Sequence, residues 1–395
     1  MAYVYARINK ETLKFIRTQR QVSFEYITRI TKFPQNKIEL WEDESENKWP
    51  TINQAKALAK CYHIPFAGFY MESDDINVKH IPRIKDMRTF YDSVNDESAV
   101  NLAILDLLND REFYLETKDS LNEKIPAFSL YLTGDSVCDW AGEIRNYLDL
   151  KLDEQYALTS SRKLYLLLRD KIEKKGIFVQ CFRGVEPEIM RGIALYDEIL
   201  PVIGVNENDR YPAKIFTILH ELVHIIKRSS SMCNEIFSSF MVNQEEIFCN
   251  AIAGEVLIPS SILCTEFSGW DDTDFDLAEV DKLASRFSVS SEVTARRLLE
   301  CNICSSNWYS TMSNKLTERF VQSNEAEKRA RQLAGTGIPR NMSREAIDRT
   351  SSDMCRVLIK GYSEGMFDKT DVSGHIGIKE KHIDKFAAEV LKWYL

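Results

Sequence analysis

The sequence predicts an α+β protein that is predominantly helical: an N-terminal all-α helix-turn-helix domain, a core with a small β-sheet, and a helical C-terminal region. Three observations predict it. Short amphipathic patterns punctuated by Pro34, Pro50 and Pro65 fill residues 7–71. Three β-branched and aromatic-rich runs, GIFVQCF (176–182), RGIALY (191–196) and LPVIGVN (200–206), crowd together and suggest one small sheet. Apolar patterns of helical period occupy most of the remainder, and 395 residues are enough for two or three cores.

Taken in order, Leu13 and Ile16, then Val22, Phe24 and Ile27, then Ile38 and Trp41, then Ile52, Ala55 and Leu58 mark four or five short helices. The segment SFEYITRITKFPQNKIELWEDE (23–44) reads as helix, short turn, helix, a pair that can set its second helix in a DNA major groove. Residues 1–72 form this first domain, and residues 73–125 read as a helical connector. The next unit, 126–265, holds the helix LYLLLRDKIEKKG (164–176), the three strands, and helices over about 212–228 and 243–257, the last stopped by Pro259. A second helix-turn-helix-like pair, DKLASRFSVSSEVTARRLLE, falls in 266–310. Residues 311–395 are helical again beyond a link at AGTGIPRN (334–341).

Composition narrows the function. With 44% hydrophobic and 28% charged residues the chain is globular, and a net charge of −9 argues against a wholly basic nucleic-acid binder. The charge is uneven: residues 1–70 carry 11 Lys/Arg against 7 Asp/Glu, so a basic module precedes an acidic body. Nine cysteines without framework spacing suit a reducing compartment, and no apolar stretch approaches the roughly 18 residues of a spanning helix. The expectation is a cytoplasmic protein with no membrane partner.

FTILHELVHIIK (216–227) sets His220, Glu221 and His224 into an apolar run as H-E-x-x-H. Residues four apart on a helix differ by about 40° around its axis, so both imidazoles can reach one zinc at about 2.0–2.1 Å. Glu221 falls beside that position, where a carboxylate can take a proton from water. Two satisfied core histidines are the bland alternative, but the complete pattern is rare by chance.

A third ligand is needed. In NQEEIFCNAIAGEVLIP (243–259) Glu246 and Asn250 share a helix face, so Glu246 would complete a His2Glu set and Asn250 could fix a ligand histidine through its other ring nitrogen. Glu245 and Cys249 are the competitors for that role, a Cys-bound site being the more structural choice. For an oxyanion donor Tyr196 and Tyr211 both stay open. Cys301-x-x-Cys304 lacks a second pair.

FRGVEPEIMRGIALYDEILPVIGVNENDRYPAKIFTILHELVHII, followed by EEIFCNAIAGEVLIP, resembles the ImmA/IrrE family of zinc metallopeptidases. DMRTF (86–90) and LASRFSVSSEVTARRLL extend the likeness. The resemblance implies a zincin-like core, one catalytic Zn2+ on His220, His224 and Glu246, Glu221 as base, and a helix-turn-helix repressor as protein substrate. The N-terminal segment resembles phage-repressor-type (XRE) domains, through Trp41-Glu42 and Pro50-Thr51 above all. That likeness implies double-stranded DNA as a partner, groove-facing Gln35, Asn36 and Lys37, and a homodimer by analogy. Lys32, in place of the usual turn Gly, Thr28, in place of a small Ala, and Glu39 depart from the pattern. The alternative is a DNA-binding regulator whose zinc core is structural or sensory and turns nothing over.

Overall fold

The computed structural model of the chain describes residues 4–76, 81–86, 94–233, 244–333 and 341–394. Among these are 18 α-helices and one five-stranded sheet, so the predominantly helical α+β class holds. Most of AGTGIPRN, residues 87–90 of DMRTF and His80 lie outside the described residues.

The strands are β1 (Lys85–Asp86), β2 (Phe178–Phe182), β3 (Gly192–Leu195), β4 (Val202–Asn206) and β5 (Ser231–Cys233). They lie in the order β1-β5-β3-β4-β2, with β2 parallel to β4, β3 antiparallel to both β4 and β5, and β1 parallel to β5. The three sequence-predicted runs are β2, β3 and β4. All three are buried throughout, because both faces of the sheet are covered, which is why they read as unbroken apolar runs rather than alternating ones.

The period-2 geometry of the strands divides the interior in two. Phe178, Phe182, Ile193, Leu195 and Val202 join one apolar cluster, which also holds Leu13, Ile27 and Trp41 from the N-terminus and Leu358 and Phe386 from the C-terminus. Val179, Cys181, Ala194, Ile203 and Val205 point the other way, into a cluster with Ile215, Leu219, Leu222 and Ile252. Gln180 is the polar exception on the first face. Its side chain accepts from the Ser351 backbone N–H and donates to Asp110, satisfying both ends of a buried amide.

On that first face the helix Val94–Ser120, within the stretch read as a connector, packs against Phe24–Thr31, β2 and Ser352–Ser363. Phe24–Thr31 is capped by the Ser23 side chain, and the following Lys32 takes a left-handed φ of 63° before the helix Gln35–Glu42 begins after Pro34. Thr51 and Gln54 form a reciprocal capping box at the start of Ile52–Cys61. The second face carries the helix Tyr211–Ile226, flanked by Ser161–Glu173 and Gln244–Leu257. Among the described residues no single helix is long and apolar enough to cross a membrane.

Candidate metal centre

The HELVH segment lies in the helix Tyr211–Ile226, which is opened by Pro212 and buried from Lys214 through Ile226. A helix hydrophobic on nearly every side belongs inside, and here it is enclosed by the sheet and its two flanking helices. His220, Glu221 and His224 are therefore held away from water by rigid elements rather than by loops.

The helix Gln244–Leu257 brings Glu246 against them. Its Oε2 lies 3.2 Å from His220 Nε2 and its Oε1 3.1 Å from His224 Nε2, while the two Nε2 atoms are 3.2 Å apart. Asn250 Oδ1 lies 2.8 Å from His220 Nδ1. Accepting from Nδ1–H, it leaves the Nε2 lone pair facing the cluster.

The two rival ligands are elsewhere. Glu245 pairs with Lys227 at 2.8 Å and Lys85 at 3.0 Å, and the bond from Lys227 heads the interactions holding its carboxyl below the usual range. Cys249 lies 4.0 Å from Nδ1 of His224, the ring nitrogen that does not face Glu246. Tyr211 donates to Asp348, and Arg228 sits over the Tyr196 ring at 5.3 Å; neither tyrosine lines the cavity beside Glu221.

Sequence reasoning missed two residues. Cys233, at the end of β5, puts its Sγ 3.3 Å from His220 Nε2, 3.9 Å from His224 Nε2 and 3.5 Å from Glu246 Oε2. Its signal was slight, a lone cysteine nine positions after His224 in a strand too short to show a pattern. Gly192, the β3 partner of Cys233, is the second. A Cβ there would run into the Glu221 carboxylate and meet the Thr217 methyl at 2.5 Å, so only glycine lets Glu221 lie flat against the sheet.

His220, His224, Cys233 and Glu246 are thus four buried donors whose ligand atoms all lie within 4.8 Å of one another. Zinc–ligand lengths of about 2.0–2.3 Å in a tetrahedron give edges of about 3.3–3.6 Å. The observed spacings bracket those edges. The donor chemistry fits as well, since imidazole nitrogen, carboxylate oxygen and cysteine sulfur are the ligand types that zinc takes.

Burial and mutual contact shift the titration of these groups. Burial raises the Glu221 carboxyl to about 8 and lifts the Cys233 thiol well above its ordinary value. For Glu246 burial pulls upward, yet hydrogen bonds from His220 and His224 win and hold it well below the carboxylate range. Burial lowers His224; at His220 it is outweighed by the Glu246 hydrogen bond and the Glu221 charge, so that histidine is raised.

Both Glu221 oxygens and the Thr217 hydroxyl are buried with no hydrogen bond of ordinary geometry among the described residues, the Cys233 thiol giving Glu221 only a weak one. They line a cavity of about 10 Å³ with Arg191, Gly192, Phe216, His220 and Cys233. That is the space of about one water molecule, bordered by the polar groups a buried water requires.

At the N-terminus Gln35 and Asn36 are exposed and Lys37 is half-buried, its ammonium 5.3 Å from the centre of the Trp41 ring. Gln35 donates to Glu39 at 2.8 Å.

No match to the chain is found among the curated proteins or among the solved structures. Residues 180–299, which carry the end of β2, then β3 to β5, the HELVH helix and the helix bearing Glu246 and Asn250, match the Peptidase_M78 family model, the IrrE N-terminal-like domain, and so support a metallopeptidase-type function for this core.

Proposed function

We propose that the chain is a zinc-dependent endopeptidase acting in transcriptional regulation, cutting a helix-turn-helix repressor to relieve repression of phage, mobile-element or stress genes. The observation that carries the reading is the convergence of His220 Nε2, His224 Nε2 and Glu246 beside the buried carboxylate of Glu221. When bound there by those three residues, zinc supplies Lewis acidity to a peptide carbonyl and to water. Glu221 takes the proton from the attacking water and returns it to the leaving amine. Asn250 keeps the His220 ring in register, and the enclosing apolar helices exclude bulk water.

The repressor as substrate rests on the family likeness and on the basic N-terminal module, whose Gln35, Asn36 and Lys37 would hold the peptidase near an operator. The test is Glu221→Gln, with metal content measured and a candidate repressor co-expressed. Metal is retained while cleavage, mapped by mass spectrometry, falls by about 10²–10⁴-fold. Retained metal with unchanged regulation would sink the proposal.

One observation favours a second reading, a DNA-binding regulator with a structural or sensory metal. Four protein donors, Cys233 included, are the ligand count of structural zinc sites. Under that reading Glu221→Gln leaves regulation untouched.

A further inference from the structure

We infer that Cys233 is a fourth protein ligand to the metal, making the site latent as folded: β5 itself fills the position that substrate and water need. The inference rests on the metallopeptidase reading for its consequence, though not for the ligation.

The backbone fixes the sulfur. Cys233 pairs with Gly192 across the β3–β5 ladder, and its carbonyl accepts from the Arg191 N–H at 2.9 Å. This aims Sγ at the two Nε2 atoms and the Glu246 carboxylate at 3.3–3.9 Å, whereas the equally buried Cys249 meets the other ring nitrogen of His224. Sγ thus lies at ligand-edge distance from His220 and Glu246, with His224 a little farther at 3.9 Å.

A purely structural site would have no use for what adjoins this one. The buried Glu221 carboxylate and Thr217 hydroxyl face a one-water cavity that Cys233 also lines. The arrangement is a hydrolytic set with its open position stoppered by its own strand. His220, His224, Glu246 and Cys233, the last as its thiolate, would hold the metal together.

Cobalt(II) in place of zinc reads the ligand set directly, because thiolate–cobalt bonds add an intense near-ultraviolet charge-transfer band. In the full-length protein loaded with one cobalt, we expect that band in the wild type and in Cys249→Ala, and its loss in Cys233→Ala and Cys233→Ser. Cys233→Ala should also weaken zinc binding by about tenfold or more in chelator competition. One bound cobalt without the band in the wild type overturns the inference while leaving the three-ligand site standing, and needs no variant to fold. A band that survives in Cys233→Ala overturns it too. A wild-type protein that binds no cobalt overturns both this inference and the metal-dependent function beneath it.

Discussion

At the scale of single residues, Gly192 and Asn250 decide whether HELVH becomes a usable site. A Cβ at Gly192 would enter the space of Glu221 and Thr217, and the strand cannot back away because β4 and β5 hold it on both sides. Gly192→Ala therefore displaces Glu221: we expect a loss of about 1–3 kcal/mol by urea denaturation, as for other overpacked cores, with peptidase activity falling and metal still bound. Unchanged stability would mean that the approach is looser than described. Asn250→Ala removes the acceptor at His220 Nδ1, so metal affinity should drop about 10–100-fold in chelator competition, and an unchanged affinity would leave Asn250 without that role. The helical part of this site was legible because 3.6-residue geometry ties His220 to His224 and Glu246 to Asn250 within short windows. Cys233 and Gly192 were not, since their meeting depends on a β3–β5 pairing that spans forty positions and leaves no periodic trace.

At the scale of elements, legibility follows length and coverage. β2, β3 and β4 show as continuous apolar runs because helices cover both faces, but two-residue β1 and three-residue β5 are too short to print a pattern. In the N-terminal helix pair, Lys32 sits in the left-handed region with φ 63°. A non-glycine residue there carries strain of about 1 kcal/mol or more, partly offset because glycine gains freedom in the unfolded chain. Lys32→Gly should thus stabilise the protein by about 0.5 kcal/mol, seen as a small rise in the thermal midpoint. A fall would show that the Lys32 side chain contributes more than its backbone costs. The same change removes a positive charge next to the helix bearing Gln35, Asn36 and Lys37, so any DNA affinity should weaken as the midpoint rises, separating fold from recognition.

At the scale of the whole molecule, the sheet separates the candidate metal centre from a face on which N-terminal and C-terminal helices share one apolar cluster. The helix Val94–Ser120 is the hub of that face, and polar contacts at its C-terminal end fasten it to Ser352–Ser363. Tyr114 and Lys118 both reach Asp353, while Glu123 takes Arg356 and, at 2.7 Å, Lys360. The hydrogen bond from Arg356 chiefly holds the Glu123 carboxyl well below its ordinary value of 4.5, burial opposing and Lys360 and Lys118 assisting. A carboxyl depressed in the folded state stabilises above its unfolded value and loses that contribution as pH falls toward the folded one. Glu123→Gln should accordingly cost about 1–3 kcal/mol at pH 7, the range for hydrogen bonds to charged groups. The gap between variant and wild type should then narrow steadily once the pH drops below about 4.5. Urea midpoints of both proteins measured from neutral pH downward provide the check. A gap that stays constant with pH would mean that Glu123 contributes shape rather than charge, leaving the contacts of Tyr114 and Lys118 with Asp353 as the polar fastening of the hub.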